Sequence, residues 1–554
     1  MKHVRCARTC VTCGPPRMDA ASPPAPRFPG WIPAGGLLLA ALYLPSLTTP
    51  FDFIDDGNLV YPAPQGSLAG HAGLWWERVQ ANYEHLGPFR PTLWAHWQLQ
   101  SNLFGGDPLT WRAYRLIWCG LAASMLLWLL WELGVNPVAA LLAAAVAMWN
   151  PYRNEIWTSL TLAEGVAMPY ALFGLIAARK AATSAHPLRW EVASAVAVLV
   201  ALGCKNVFAS LVPAQIALRM WAPGLTFREA WSRNCWRSAA LGITLLMPAV
   251  HFVYYKTHWH SGQYETHAPT IAQFGRILST LKGAMSLEFL VAGVVLVVVA
   301  LRLRPREHGP SGASSDPAHS RPGPAILCAL LLLFGGVAMY LPMAMISGRY
   351  SMPAVWGLDI ALGLLLTALV AAPATCWKKA AWVGVCVGIA AIAIANVGRQ
   401  EKFAARARML WDAVRYVETT APPGARVAWV SGDSLKGGLN VEEGIHFQWH
   451  LYHRGRGDIR IGLVDESGQP LERTELQPLD GPPGYTLSGS GAATGPGRWE
   501  PERVFATGYW FGRKHYDCLL SHKALAAFHA DSTFRAEVEK DVRARLQLAS
   551  PAEN

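Results

Sequence analysis

The sequence predicts an α-helical polytopic membrane protein with about eleven transmembrane helices, followed by a C-terminal exported α/β domain. Two observations support the membrane part. The 554 residues are 52% hydrophobic and only 15% charged, whereas soluble domains carry about 25% charged residues. The apolar residues are also grouped in blocks long enough to cross a bilayer. A third observation supports the exported domain: after the last block the chain becomes polar and alternates strand-like runs with turn residues.

The apolar blocks mark the approximate centres of the predicted spans. A spanning helix needs about 20 mostly apolar residues, so the shorter blocks are expected to continue into their flanks. The blocks lie at 31–47, 114–131, 138–149, 162–178, 192–204, 207–220, 239–255, 289–303, 325–346, 354–371 and 380–397.

The basic residues predict how the spans are oriented. If residues 1–29 form a cytoplasmic tail, with Met18 as an alternative start, every cluster of Lys and Arg between the spans falls on the cytoplasmic side, where such residues are enriched. Topology therefore explains the net charge of +11, and we predict no nucleic-acid partner. The compact loops favour a bacterial inner membrane, with the C-terminal domain periplasmic.

Composition divides the rest of the chain into two further parts. Residues 30–398 form the predicted transmembrane module, with a large first exported loop at 51–112 and a cytoplasmic linker rich in Pro, Ser and Gly at 305–324. Residues 399–554 form the predicted exported domain, which begins with a helical pattern that ends near Thr420. Strands are predicted within it at 427–430, 445–452, 459–464 and 504–511.

An acidic cluster, Asp52, Asp55 and Asp56, follows directly after the first predicted span. In an extended chain Asp55 and Asp56 point to opposite sides, whereas a helical turn would bring Asp52 beside one of them. Composition alone favours a solvated loop of turn-forming residues. The alternative is a carboxylate placed for general-base chemistry where the helix leaves the bilayer.

Further short stretches follow in a recognisable order on the predicted exported side. They are Gly87-Pro88-Phe89-Arg90-Pro91, Asn102-Leu103-Phe104-Gly105, Asn150-Pro151-Tyr152-Arg153-Asn154-Glu155, Lys205 and Gly348-Arg349-Tyr350. With the acidic pair before them, they resemble the membrane module of the GT-C superfamily of integral-membrane glycosyltransferases, including protein O-mannosyltransferase-like enzymes, over roughly residues 30 to 400. Relatives often carry an acidic residue where this chain has Asn206, and the domain after residue 398 resembles no family that we can name.

The resemblance implies transfer of a sugar from a polyprenyl phosphate to an acceptor hydroxyl on the exported face, with inversion at the sugar. It implies that Asp55 or Asp56 is the base that orients and deprotonates the acceptor. A phosphate departs as a stabilised anion, so the reaction needs cations rather than an acid at the leaving group. The implied partners are a polyprenyl-phosphate-linked sugar, membrane lipid and an acceptor that stays open: a glycan, a lipid or a protein.

Cations at the outer boundary are the candidates for binding the donor phosphate. Arg349 is the first choice, with Tyr350 beside it, because a guanidinium binds phosphate oxygens bidentately. Lys205 and Arg90 are the second choices. An interfacial anchor is an equally good interpretation of Arg349 and Tyr350, since Arg extends its head group to the interface and Tyr favours that depth.

Two pairs of residues complete the candidate set. Glu155 and Glu164 lie near the outer end of the fourth span and are candidates, with Asp52, for hydrogen bonds to sugar or acceptor hydroxyls, although a structural role is the preferred interpretation. His258 and His260 are the candidates for a divalent metal. They lack a specific metal-ligand motif, so the sequence predicts no certain cofactor and leaves a divalent metal open.

Two other functions stay open at this stage. A transporter or flippase for an amphipathic or lipid-linked solute would place its polar residues near the middle of the membrane and often shows internal repeats. A non-catalytic membrane scaffold would only display the C-terminal domain. Because the candidate residues gather at the outer boundary, the sequence favours the glycosyltransferase.

Overall fold

The structure is a computed structural model, and it describes only part of the chain. The described residues are 29–52, 56, 68–86, 89–184, 186–220, 323–339, 352–420, 423–424, 426–430, 447, 450–451, 454–464, 470–478, 485–487 and 503–505, with isolated residues between 228 and 279. Residues 1–28 of the tail, most of the linker 305–324, the eighth predicted span and more than half of the seventh lie outside them.

Helices make up most of the described chain. α1 (Trp31–Ala40) continues as a 3-10 helix (Ala41–Thr48), and a second 3-10 helix (Asn206–Ser210) precedes α9. The remaining helices are α2 (Leu68–Leu86), α3 (Pro91–Phe104), α4 (Pro108–Glu132), α5 (Pro137–Trp149), α6 (Glu155–Thr158), α7 (Ala163–Thr183), α8 (Pro187–Leu202), α9 (Leu211–Met220), α10 (Gly323–Ala338), α11 (Met352–Ala371) and α12 (Cys376–Thr420).

Within the described residues, four helical segments are long and apolar enough to cross a membrane. They are Trp31–Thr48, Pro108–Glu132, Met352–Ala371 and Cys376–Ala405. α5 and α10 are apolar as well but shorter. By length and composition these are the helices of an integral membrane protein, as the sequence predicts, whereas the predicted total of about eleven spans stays a prediction.

Local sequence signals explain where the helices begin. α3, α4, α5 and α8 each have a proline at the first helical position, where the missing N–H costs no hydrogen bond. The Asp107 carboxylate caps α4 by accepting hydrogen bonds from the N–H groups of Leu109 (3.2 Å) and Thr110 (3.1 Å). The Asn136 side chain caps α5 through the N–H of Val138 at 3.0 Å.

Small residues let the helices approach one another closely. At Gly36, a Cβ atom would lie 2.7 Å from the carbonyl oxygen of Gly120, so α1 and α4 pack backbone against backbone. At Gly336, a Cβ atom would lie 2.6 Å from the nitrogen of Ala354, which brings α10 equally close to α11. α7 packs against α4, α8 and α9, and α5 packs against α11. Close approach at small residues is typical of helices in membranes.

One end of the helix bundle carries the basic residues that the sequence places in the cytoplasm. Lys180 pairs with Glu132 at 2.6 Å where α7 and α4 end. Arg219, at the end of α9, pairs with Glu191 in α8. Lys378 donates hydrogen bonds to the carbonyl oxygens at the end of α11. These contacts are consistent with the predicted topology, and the orientation in a membrane stays a prediction.

α12 is a single helix of 45 residues that continues well beyond its apolar part. The predicted domain boundary at 398 therefore lies inside a helix. Polar contacts fix this stretch to the end of α5 and to the 3-10 helix after α1: the Asn396 amide donates to the Trp149 carbonyl at 2.8 Å, and the Gln400 amide donates to the Leu42 carbonyl at 3.1 Å. Gly398 does not break the helix because the contacts on both of its sides keep it in place.

The described residues of the tail include a five-stranded mixed sheet. Its strands are β1 (Arg426–Val430), β2 (Arg460–Val464), β3 (Pro470–Pro478), β4 (Tyr485–Leu487) and β5 (Arg503–Phe505). The order is β4-β3-β2-β1-β5, with β1 parallel to β2 and β5, and β3 antiparallel to β2 and β4. Parallel pairs need long crossover connections, which lie largely outside the described residues, so an α/β domain stays a prediction.

The strand prediction for 445–452 is wrong, because Phe447, His450 and Leu451 are helical. All three side chains are buried. Their spacing of three and four residues places them on one face of a helix. The sequence predicts a strand here because aromatic residues are enriched in strands.

Candidate active site

Charged residues gather at the opposite end of the bundle from the basic clusters, which we call the site end. Here the 3-10 helix after α1 ends, α4 and α7 begin, and α5 and α8 end. The structure brings together four of the predicted site residues at this end: Asp52, Asp56, Glu164 and Lys205. The first two follow α1, Glu164 lies in the first turn of α7, and Lys205 follows α8.

Asp56 is completely buried and accepts hydrogen bonds with both carboxylate oxygens. Oδ2 accepts from the backbone N–H of Asp52 at 2.9 Å, and Oδ1 accepts from the backbone N–H of Leu160 at 3.1 Å. Nη2 of Arg112 lies 3.4 Å from Oδ2. The side chain therefore joins the loop after α1 to the segment between α6 and α7.

Arg112, in the first turns of α4, is the cation that compensates Asp56. Its guanidinium also donates to the carbonyl oxygens of Thr49 (3.2 Å), Pro50 (2.8 Å) and Thr158. Arginine suits this position because its planar group presents five donors in a fixed geometry. A buried ion pair with these additional hydrogen bonds fixes the loop geometry.

Arg115 lies on the same face of α4, one turn further along. Its guanidinium donates to the carbonyl oxygens of Ser159 (2.8 Å), Leu160 (3.1 Å) and Leu162 (3.2 Å). Gly165 makes room for it, since a Cβ atom there would lie 2.7 Å from Nη1 of Arg115. The two arginines together hold residues 158–162 against α4.

Burial raises the pKa of Asp56 from 3.8 to about 7. The Arg112 cation opposes this shift, the nearby Asp52 adds to it, and the two backbone N–H donors lower it. The loss of hydration outweighs the stabilising contacts because the carboxylate has no access to water. The Asp56 carboxyl group therefore holds its proton to a higher pH than an exposed aspartate does.

Glu164 and Lys205 form a second ion pair at the site end. Glu164 is buried and Lys205 is largely buried, so the pair has little contact with solvent. The predicted roles of Lys205 in phosphate binding and of Glu164 in hydroxyl binding thus fall on two residues that contact each other. The lysine charge is balanced by a carboxylate.

Arg90 is half-buried and lies immediately before α3. The backbone N–H groups of Thr92 and Leu93 donate to the carbonyl oxygen of Gly203 at 3.1 and 3.3 Å. The start of α3 is thereby fixed to the segment that carries Lys205. The two second-choice cations for the donor phosphate come from neighbouring parts of the fold.

Glu155 lies at the start of the segment that leads to Ser159 and Leu160. It is half-buried in the first turn of α6. Its carbonyl oxygen accepts a hydrogen bond from the N–H of Ser159 at 2.9 Å. This contact closes the turn that leads into residues 158–162.

A cluster of aromatic rings lies beside Arg115. Tyr114 stacks on Trp118 with ring centroids 5.6 Å apart, and His96 of α3 and Tyr170 of α7 contact the same tryptophan at 5.3 and 5.6 Å. Burial, together with the Arg115 charge, lowers the pKa of His96 to about 4, so the imidazole is neutral at pH 7. Aromatic faces of this kind pack against the apolar faces of sugar rings.

Five predicted site residues lie outside the described residues: Asp55, Arg349, Tyr350, His258 and His260. Their roles stay predictions. Among the residues that the structure describes, no group of three or more His, Cys, Asp or Glu side chains is arranged to hold a metal ion.

Sequence reasoning missed Arg112 and Arg115, which hold the described site together. The signal was present, because two arginines three residues apart open an apolar helix that is otherwise nearly free of charge. Ionisable residues within a spanning helix are costly and usually have a partner or a function. Asp359, inside the apolar α11, was missed for the same reason and pairs with Arg153 at 2.9 Å.

The likeness to known proteins is structural. No family model and no curated protein matches the sequence. A similar solved structure is the crystal structure of ArnT from Cupriavidus metallidurans bound to undecaprenyl phosphate. It is 15% identical, the match covers 78% of this chain and 86% of that chain, and the TM-score is 0.40. A likeness of this extent does not by itself assign a function.

Proposed function

We propose that the protein is a membrane glycosyltransferase that moves a sugar from a polyprenyl phosphate to an acceptor hydroxyl at the site end of the bundle. One observation carries the proposal: the buried Asp56–Arg112 pair fixes the loop between the end of the apolar segment Trp31–Thr48 and the start of the apolar helix Pro108–Glu132. A lipid-linked sugar phosphate presents its reacting carbon at this depth. The order of motifs that resembles the GT-C superfamily supplies the reaction class.

We assign the role of base to Asp55 and a positioning role to Asp56. A general base must lie within hydrogen-bonding reach of the proton that it removes. Asp56 is enclosed, and both of its oxygens accept hydrogen bonds from protein donors. Asp55 is its neighbour in the sequence, and Asp56 lies in a 3-10 turn, a geometry in which consecutive side chains point about 120° apart. By fixing the loop, Asp56 would set the position of Asp55.

The proposed reaction is a single displacement at the anomeric carbon. The acceptor oxygen attacks this carbon and loses its proton to Asp55, while the bond from carbon to phosphate oxygen breaks. Polyprenyl phosphate leaves with the bonding electron pair, and the configuration of the sugar inverts. Arg349 remains the first choice for the departing phosphate, because Lys205 is already neutralised by Glu164.

The sugar would lie against the aromatic rings around Trp118. Tyr114 and Trp118 of this cluster lie in the second and third turns of α4, and His96 of α3 and Tyr170 of α7 contact Trp118. The face of a sugar packs on such rings, while its hydroxyls need polar groups at the edge. Glu164 is our candidate for that contact, since it lies in the first turn of the helix that carries Tyr170.

A transporter or flippase is the second candidate function, and Asp359 is the observation that favours it. This carboxylate lies within an apolar helix, as in many transporters. Its contacts at 2.9 and 3.3 Å with the two terminal nitrogens of Arg153, however, make it a closed and buried pair. A non-catalytic scaffold is the third candidate and predicts that substitutions at the site end change only stability.

An assay in vesicles distinguishes these functions. The purified protein is reconstituted with a fluorescent polyprenyl-phosphate sugar and envelope acceptors, and both transbilayer movement of the lipid and release of free polyprenyl phosphate are followed. A glycosyltransferase gives sugar-dependent release that is lost in Asp55→Asn. Movement of intact donor without release supports a flippase, and neither signal with any donor supports a scaffold. Glu132→Gln, which removes a carboxylate ion pair at the opposite end of α4, is the control.

A further inference from the structure

A cavity of about 560 Å³ opens at the outer surface of the site end. Its wall is formed by residues 47–50 after α1, by Pro108 and Leu109 at the start of α4, and by Arg408, Trp411 and Arg415 of α12. The three α12 residues are spaced by three and four positions, so they lie on one face of the helix. The cavity has no role in the chemistry proposed above.

Two arginine side chains line the cavity. Arg408 donates a hydrogen bond to the Thr48 hydroxyl at 3.3 Å, and Arg415 is exposed. Neither guanidinium forms an ion pair with a carboxylate in the described part of the chain. Seven residues of helix separate the two arginines by about 10 Å along the axis. A concave wall with two such cations favours an anion.

The cavity lies beside the ends of three segments that are long and apolar enough to cross a membrane. Thr48 ends one apolar segment, Pro108 begins another, and the apolar part of α12 ends at Ala405, just before Arg408. An apolar path leads away from it toward the bilayer. Leu44 precedes Leu47 by one turn of the 3-10 helix, so both lie on the same face. Leu44 is 50% exposed and Leu109 is 54% exposed.

We propose that this cavity binds the phosphate headgroup of an anionic phospholipid. Arg408 and Arg415 would contact the phosphate and the Thr48 hydroxyl the glycerol oxygens, while the acyl chains would follow Leu44 and Leu109 into the bilayer. The apolar path is the feature that selects a lipid over a soluble anion, since a free phosphate would gain nothing from it. The lipid would be a bound component of the protein, distinct from the sugar donor.

Binding here would join the tail to the active-site loop. Trp411, on the cavity wall, contacts the edge of His450 at 4.9 Å, and His450 stacks on Phe51 at 6.3 Å. Phe51 immediately follows Pro50, whose carbonyl oxygen accepts a hydrogen bond from Arg112. A headgroup between α12 and residues 47–50 would therefore fix the positions of α12, of His450 and of the loop around Asp56 relative to one another.

The test is native mass spectrometry of the full-length protein extracted from mixed micelles that contain phosphatidylglycerol and phosphatidylcholine. We expect one phosphatidylglycerol to be retained in preference to phosphatidylcholine. Arg408→Gln and Arg415→Gln should each weaken retention about tenfold, the effect of losing one charge-assisted hydrogen bond. Arg415→Lys should retain most of the binding. Lys402→Gln, which removes an exposed charge from the same helix outside the cavity, should leave retention unchanged.

Competitors identify the source of the phosphate. The proposal is supported if the protein retains phosphatidylglycerol in the presence of excess inorganic phosphate and of excess polyprenyl phosphate. Displacement of the lipid by polyprenyl phosphate would assign the cavity to the sugar donor and would overturn the proposal. Displacement by inorganic phosphate would show that the cavity binds free anions and would also overturn the proposal. Equal retention by the wild type and both glutamine variants, each with unchanged thermal unfolding in neutral detergent, would also overturn it.

Discussion

Asp56 and Arg112 are 56 residues apart in the sequence and form an ion pair, with 3.4 Å between Oδ2 and Nη2, that solvent does not reach. The pair anchors the loop after the first apolar helix to the start of α4. Taking two charges out of water costs several kcal/mol for each ion, and the cost is recovered only with good geometry and further hydrogen bonds. Arg112 makes these further hydrogen bonds to three backbone carbonyl oxygens. The ion pair and the backbone contacts therefore depend on each other.

Replacing Arg112 tests this dependence. Arg112→Ala leaves the Asp56 carboxyl without its cation and three carbonyl oxygens without their donor. We expect a loss of about 3–5 kcal/mol in the free energy of unfolding, measured by thermal unfolding in detergent. Lys180→Ala removes the partly exposed Lys180–Glu132 pair at the other end and should cost about 1 kcal/mol or less. Equal losses in the two variants would contradict the buried role of Arg112.

The raised pKa of Asp56 predicts a dependence of stability on pH. The carboxyl group has a pKa of about 7 in the folded protein and 3.8 without its environment. The folded state therefore binds the proton more tightly, and the stability from this group is full below about pH 4 and is lost as the pH rises through about 7. Asp56→Asn carries no titrating group, so its melting temperature should fall less between pH 4 and pH 8 than that of the wild type. Parallel curves for the two proteins would refute the shift.

Variants of the Glu164–Lys205 pair test whether Lys205 has only a structural role or also binds the donor. Lys205→Met leaves the buried Glu164 carboxylate without its cation and should lower stability, and Glu164→Gln in the same chain should restore much of it. If Lys205 also binds donor phosphate, the double variant should fold but show a raised KM for the lipid donor. A double variant with normal stability and normal KM would assign Lys205 to structure alone.

Gly165 gives a steric test of the Arg115 contacts. In Gly165→Ala the new Cβ atom would lie 2.7 Å from Nη1 of Arg115 and 2.8 Å from the carbonyl oxygen of Ile156. Crowding of this kind costs about 1–3 kcal/mol, and it would move Arg115 away from residues 159–162. Gly384→Ala in α12, where nothing lies within 4 Å, should be neutral or stabilising. Similar melting temperatures for the two variants would show that Arg115 is not tightly held.

The helices of the described membrane part could be predicted from the sequence, because lipid requires every backbone polar group to be paired within the segment. Blocks of apolar residues therefore report spans directly. The end of α12 near Thr420 follows from the helical pattern after residue 398, and the structure confirms it. The continuity of this pattern with the last span could not be predicted. The apolar run of α12 stops near Ala405 while the helix continues to Thr420, because contacts such as Asn396 with Trp149 hold the following turns against the bundle.

The candidate site could be predicted only in part. A carboxylate beyond the first span and Lys205 beyond α8 were visible as charges flanked by apolar sequence. The partner of each could not be predicted, since the contacts of Asp56 with Leu160 and of Lys205 with Glu164 join residues 104 and 41 positions apart. Whether Asp56 is enclosed depends on those long-range contacts, and so does its proposed role as a positioning residue.

Release of free polyprenyl phosphate tests the central claim most directly. The purified wild-type protein in bilayers is supplied with a panel of polyprenyl-phosphate sugars and an envelope acceptor fraction, beside folded Asp55→Asn, Asp56→Asn and Arg349→Ala variants. We predict release that depends on one class of sugar, is abolished in Asp55→Asn and is strongly reduced in the other two. No release from any donor, or full release in Asp55→Asn, would contradict the proposed glycosyltransferase mechanism.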